Sequence, residues 1–365
     1  MGNFRFFWEN GCVLLVNLLY SGVCWVVFGV EVMSEDKDER KYFRILSIDG
    51  GGIRGIIPAK VLEVLEKKLQ NKTGNDNARI ADHFDLIAGT STGGILTCVY
   101  LCPDSSGKRP KFEAVQAVEF YSEYGTKIFK SNIISNNLSL LRYPKHNPSN
   151  IESVLKAHLH DTRLKDLLKP CLITAYDIEA GETVFFTQHT VKPKTNYFVR
   201  DVARATSAAP TYFPPALIKP VAGKAVPLID GGVFANNPAM CAFAEVQNKF
   251  RKGTVDTVML SLGTGKYHKC FPYKKARYWG GVQWVSPLID IMMGGVSETV
   301  DYQMRQLYES VERPDQYLRI NPDLLTSMEL DDASKANITS LEKLGEDTAS
   351  ENDAELDRFV NLLLA

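Results

Sequence analysis

A serine framed by glycines, Gly89-Thr90-Ser91-Thr92-Gly93, is the stretch of this 365-residue chain best suited to chemistry. The spacing is G-x-S-x-G. Small neighbours are what a sharp strand-to-helix turn needs to lift a hydroxyl above a sheet, and the N-terminus of the helix that follows favours negative charge developing there. The chemistry would be nucleophilic attack on an acyl group. An inactive Gly/Ser/Thr-rich turn is the plainer alternative. A second signal is Asp49-Gly50-Gly51-Gly52-Ile53-Arg54-Gly55. Consecutive glycines leave backbone N–H groups exposed and let a substrate approach the main chain, so the loop can hold an oxyanion with Arg54 as a positive neighbour. The same letters satisfy G-x-G-x-x-G over residues 50–55. A dinucleotide site, however, asks for an acidic residue about 20 positions on, at the end of a second strand. Gln70-Asn71-Lys72-Thr73-Gly74 stands there instead.

A serine nucleophile needs a proton acceptor. Of the six histidines only His268 follows every plausible acid, in a basic, aromatic stretch with no motif around it. His83 precedes the serine, and His146, His158, His160 and His189 read as loop or exposed-helix residues. A different acceptor is Asp230, which closes the apolar run Leu228-Ile229 and precedes Gly231-Gly232 and Asn236-Asn237-Pro238. A carboxylate at a strand terminus beside a buried serine can take its proton directly when burial raises its pKa. The alternative is an aspartate that caps a turn. Seven cysteines (Cys12, Cys24, Cys98, Cys102, Cys171, Cys241, Cys270) are odd in number and show no CxxC spacing. They read as free thiols of a reducing compartment. With the histidines dispersed as well, no metal site is expected.

These residues must be carried by strands and helices. Phe43 to Ile48 reads as a buried strand that runs into the three glycines. Pro58 suits the first turn of a helix with apolar positions Val61, Leu62, Leu65 and Leu69. Phe84 to Ala88 is a second strand ending at glycines, followed by an apolar helix from Gly94. Val115–Tyr121 and Ile151–Leu159 read as helices, and Leu172–Tyr176, Val184–Thr187, Val226–Ile229 and Val258–Leu262 as strands. Strands alternating with helices give an α/β domain with a largely parallel sheet. No internal repeat or long linker interrupts it, so one catalytic domain is expected over about residues 40–322.

The net charge is −1, with 45% apolar and 23% charged residues, which excludes a disordered chain and gives no overall field towards nucleic acid. Charge is uneven along the sequence: residues 32–322 carry a net +8 and residues 323–365 a net −8. That acidic tail keeps helical spacing and is expected to pack as terminal helices. Residues 10–30 lack any charge, enough for a helix that spans a bilayer. Basic residues are denser after this span than before it, so residues 1–32 read as an anchor with the remainder on the cytoplasmic side. The competing reading is an over-extended start with initiation at Met33. Both place the main domain in the cytoplasm. From Lys266 to Trp284, Lys266, Lys269, Lys274, Lys275 and Arg277 interleave with six aromatic side chains, a pattern suited to an anionic lipid surface. A loop with some aromatics packed beneath it is the alternative.

Four blocks, DGGGIRG (49–55), GTSTGG (89–94), ARATSAAPTYFPP (203–215) and IDGGVFANNP (229–238), together resemble the patatin-like phospholipases over roughly residues 43–265, with Leu262-Gly263-Thr264-Gly265 as a weaker fifth. The opening DGGGIRGIIPA is similar to that of bacterial-type members. The resemblance implies a three-layer α/β/α fold with a mostly parallel central sheet, related to α/β-hydrolases. It also implies a Ser–Asp dyad without histidine and lipid acyl hydrolase activity of phospholipase A or lysophospholipase type, with no cofactor. Carried over, Ser91 is the nucleophile within the Gly89–Gly93 elbow, and Asp230 of Asp230-Gly231-Gly232 is the acceptor. Gly50, Gly51 and Gly52 with Arg54 form the oxyanion hole. The implied partner is a phospholipid or other glycerolipid at a membrane surface. A non-catalytic lipid-binding relative and a dinucleotide-dependent oxidoreductase are the competing classes. Intact Ser91 and Asp230 count against the first, and the missing acidic partner against the second.

Overall fold

The computed structural model describes residues 41–130, 144–267, 270–324 and 328–365, with short extended pieces among the first 23. Residues 1–40 form a unit of their own. Its described parts are antiparallel pairs, β1 (Arg5–Glu9) with β2 (Cys12–Val16) and β3 (Leu18–Leu19) with β4 (Gly22–Val23). Over these stretches the backbone is extended, as the wealth of valine and leucine in short runs allows. The rest of residues 10–30, the span expected to cross a membrane, lies outside the described residues. Among the described residues no helix is long and apolar enough to cross a membrane.

The main unit begins with β5 (Phe43–Ile48), the glycine loop, α1 (Ile56–Thr73), the single turn α2 (Ile80–His83), β6 (Leu86–Gly89) and α3 (Thr92–Leu101). It continues through α4 (Ala114–Ile128), α5 (Pro148–Leu159), the hairpin β7 (Cys171–Asp177) and β8 (Glu182–Thr187), α6 (Val199–Thr206), β9 (Ala216–Ile218) and β10 (Val226–Asp230). After α7 (Gly232–Ala235), α8 (Ala239–Glu245), β11 (Thr257–Leu262) and α9 (Tyr273–Ala276) comes the 30-residue α10 (Gly281–Ser310). The chain closes with β12 (Tyr317–Ile320), α11 (Lys335–Glu351) and α12 (Asp353–Leu364).

One sheet runs β12-β11-β5-β6-β7-β10-β9, with β8 also paired to β7. The pairings from β12 to β7 are parallel, whereas β8, β9 and β10 join antiparallel. Alternate side chains of each central strand enter separate cores. Leu46, Ile48 and Ile87 pack with α1, α3, α4 and the terminal helices. Ile45, Leu86 and Ala88 pack with α8 and with Met304 and Tyr308 of α10. This is the expected three-layer arrangement. The acidic tail is part of it: Leu341, Leu356 and Phe359 are buried in the first core. Its charges meet α1, where Lys60 pairs with Glu346 at 3.0 Å and Lys68 with Asp353 and Asp357 at 2.7 and 2.6 Å.

Candidate active site

Three turns converge where β5, β6 and β10 end, and the pairing of β7 explains how. β8 takes one edge of β7 along Leu172–Asp177. On the other edge β6 runs parallel as far as Gly89 opposite Ile173, and β10 runs antiparallel as far as Asp230 opposite Ala175. The two strand ends face each other across Thr174, whose hydroxyl meets Thr90 Oγ1 at 2.8 Å. Ser91 and Asp230, far apart in sequence, leave their strands at the same gap. On the other side of β6, Gly89 lies opposite Ile48, which delivers the glycine loop to the same place.

Ser91 is buried and has φ 55° and ψ −121°, a backbone that L-residues adopt at a cost of about 1–3 kcal/mol. The glycines around it are sterically required. A β-carbon on Gly89 would stand 2.1 Å from the Gly93 carbonyl oxygen, and one on Gly93 2.1 Å from that of Ile48. The Ser91 N–H donates to Thr206 Oγ1 at 2.9 Å, and the Asp230 N–H to the Ala208 carbonyl at 3.1 Å. The block around Ala208-Ala209-Pro210 therefore holds the backbone of both residues, a role its small residues do not announce. Asp230 is buried, and desolvation pushes its carboxyl up to about 7, against hydrogen bonds from the Ser91 side chain and from the Gly232 N–H at 2.7 Å.

In the glycine loop the Gly50 N–H donates to the Asn236 carbonyl (3.0 Å), the Ile53 N–H to the Leu330 carbonyl and the Arg54 N–H to the Gly51 carbonyl. Among the described residues the N–H groups of Gly51 and Gly52 meet no acceptor, so these two remain for an oxyanion, and Gly50 does not. Thr264 Oγ1 donates to the Gly50 carbonyl at 2.7 Å. Because the peptide is planar, this bond also fixes the direction of the Gly51 N–H on its opposite side. Asn236 Nδ2 donates to Ser297 Oγ at 3.1 Å, and Ser297 in turn to Asp49, which the Arg319 guanidinium grips at 2.8 and 2.6 Å. Burial raises the Asp49 carboxyl, and Arg319 opposes that shift. Thr92, directly after the serine, opens α3 with an N–H that likewise meets no acceptor among the described residues. Sequence reading passed over it, although the residue after an elbow nucleophile is a standard donor position.

An apolar cleft of about 960 Å³, counting its open mouth, is lined by Ser91 and Asp230 together with Ile95, Phe120, Phe213 and Met292. No histidine lines it among the described residues. His146, read as a loop or exposed-helix residue, is buried behind the cleft wall against Phe129 and Phe213, with Nε2 on Asp331 at 2.6 Å, and His268 lies outside the described residues. Arg54 does not face this cleft. Its side chain lines a neighbouring polar cavity with Lys266, Asp290 and Glu298. Burial lowers its pKa against the attraction of Asp290.

The family model described as patatin-like phospholipase matches residues 46–243, the stretch that carries all three converging turns. The chain belongs to the patatin-like phospholipase family. Patatin-like protein 2 of Oryza sativa subsp. indica is 35% identical over 357 residues, covering 89% of this chain and 88% of that protein. Patatin-like protein 2 of Arabidopsis thaliana is 37% identical over 329 residues (82% and 79%). Probable inactive patatin-3-Kuras 1 of Solanum tuberosum is 34% identical over 352 residues (87% and 92%). These patatin relatives are plant proteins, so the family assignment stands without the bacterial-type subdivision expected from the DGGGIRGIIPA opening. Membership of the patatin-like phospholipases supports a lipid acyl hydrolase activity for the chain.

Proposed function

We propose that the protein hydrolyses carboxylic esters of membrane glycerolipids through an acyl-enzyme, with Ser91 as nucleophile and Asp230 as the only proton acceptor. Family membership does not by itself decide activity, since one similar protein is named as probably inactive. The observation that carries the reading is the buried carboxyl of Asp230, hydrogen-bonded to Ser91 and raised to about 7, in a cleft without histidine among its described lining. A carboxylate with that affinity for a proton can act as general base near neutrality. Asp230 takes the Ser91 proton as Oγ attacks the ester carbonyl. The oxyanion is met by the N–H groups of Gly51, Gly52 and Thr92, and the acyl chain lies in the apolar cleft. Collapse breaks the ester C–O bond, and the alcohol or lysolipid leaves with the proton from Asp230. Water, deprotonated by Asp230, then releases the fatty acid and restores the serine. Free thiols at Cys98, Cys102, Cys171, Cys241 and Cys270 fit action on the cytoplasmic face of a membrane. A fluorophosphonate probe should label the wild type at Ser91 and leave Ser91→Ala unlabelled. Ser91→Ala and Asp230→Ala, both folded by circular dichroism, should lose ester hydrolysis by about a thousandfold or more. Retained turnover in either variant would remove the dyad.

A further inference from the structure

Helix α10 has two unlike apolar sides. Towards its C-terminal end it buries Met304 and Tyr308 under the sheet. In its first half a different stripe, Trp284, Leu288, Ile291 and Met292, follows the i, i+4, i+7, i+8 spacing of one helix face. This stripe is open to solvent, with Leu288 at 49%, Ile291 at 46% and Met292 at 40% exposure. It continues into a shallow apolar groove over Ile291, Met292 and Gly295. A helix apolar on its buried side and again on its outer side has a second surface that water does not satisfy.

Two observations identify what covers it. Met292 lines both the outer groove and the cleft that holds Ser91 and Asp230, so the exposed stripe and the catalytic cleft share a wall. Beside the stripe in sequence stands α9 with Lys274, Lys275 and Arg277, whose guanidinium lies over the Tyr278 ring at 4.8 Å. Tyr273 and Tyr278 are each 75% exposed. Between Trp279 and Ser297 the one acidic residue is Asp290. It lines the polar cavity with Arg54 and is not part of the stripe. Aromatic and basic groups next to an apolar helix face complement an anionic headgroup layer over hydrocarbon.

We infer that the first half of α10, with α9, is the surface that docks on an anionic lipid bilayer, and that lipid reaches Ser91 past Met292. The inference rests on the acyl hydrolase reading for its substrate, but the docking is measurable without turnover. Two double variants test it, Leu288→Gln with Ile291→Gln and Lys274→Glu with Lys275→Glu, none of which lines the cleft. Vesicles of phosphatidylcholine with about one-quarter phosphatidylglycerol serve as the surface, and p-nitrophenyl butyrate as a monomeric soluble ester.

Both variants should turn over the soluble ester within about twofold of wild type, while vesicle co-sedimentation and vesicle hydrolysis fall by about tenfold or more. Added salt should weaken the binding of wild type and of the glutamine variant more than that of the glutamate variant. Undiminished vesicle binding by both variants would overturn the inference. So would light scattering that shows a wild-type dimer broken by the glutamine pair with vesicle binding unchanged, because the stripe would then seat a second copy of the chain. Wild-type protein that binds vesicles through these residues but hydrolyses neither ester would sink the hydrolase reading and leave the docking surface standing.

Discussion

Burial of Asp230 costs stability and supplies the proton affinity that the proposed mechanism needs. Its carboxyl is raised from 3.8 to about 7, so the folded protein holds a proton there that the unfolded chain has lost. Stability contributed by this group therefore declines as pH rises from about 4 to about 7 and is level above that. Asp230→Asn should unfold later than wild type at pH 8, by up to roughly 4 kcal/mol, with the difference gone near pH 3; paired thermal melts read this directly. Soluble-ester kcat/KM in the wild type should rise about tenfold per pH unit below about 7 and then flatten. Thr264 acts one step away, by orienting the Gly51 N–H through the Gly50 carbonyl. Thr264→Val should lower kcat by about tenfold with KM little changed, and Thr264→Ser should restore it. Ser91, Asp230 and the glycines were legible because each sits in a short local motif whose chemistry needs those residue types. Thr264 and Asn236 stood in the quoted blocks without a role, since only the folded chain brings them to the loop at Gly50. Arg54 was read as an oxyanion neighbour from adjacency alone, and the turn of the loop sends its side chain into the polar cavity.

Between the elements, a single buried side chain ties helices to one another. Glu66 of α1 accepts from the Ile80 N–H at 2.9 Å and the Ala114 N–H at 2.8 Å, capping α2 and α4 together. Glu66→Ala leaves two buried donors without partners and should lower unfolding stability by about 2–4 kcal/mol, with soluble-ester kcat nearly unchanged below the melting range. Denaturant titration with an activity control would check both halves. Strands β5, β6, β7, β10 and β11 were readable as apolar runs, each ending at or near glycine or aspartate. Helix α10 was not: Gly281, Pro287 and Gly294-Gly295 are all weak helix formers, yet 30 residues stay helical with the proline inside. What had been read as a basic, aromatic loop is in part the start of that helix. Packing of its second half against the sheet outweighs weak local propensity.

At the scale of the whole molecule, the acidic tail read as an appendage is a structural layer. Ile338, Leu341, Leu356, Phe359, Val360 and Leu363 are buried, and Arg44 of β5 donates to the Leu363 carbonyl at 3.2 Å. Six large side chains at about 1.5–3 kcal/mol each match the entire stability of an ordinary domain. A chain ending at Ser334 should therefore show no cooperative melt and should bind a hydrophobic dye. Its helical spacing had pointed to packed terminal helices, but composition does not show that lysines of α1 wait opposite its charges. The abutment of β6 and β10 on one edge of β7 carries a different lesson. The spacing of the proposed nucleophile and base is a residue count, like two rulers laid end to end against a third. Connecting segments can lengthen, shorten or be exchanged wholesale without altering it. One extra residue inside either ruler would turn its tip to the reverse face of the sheet and part the pair.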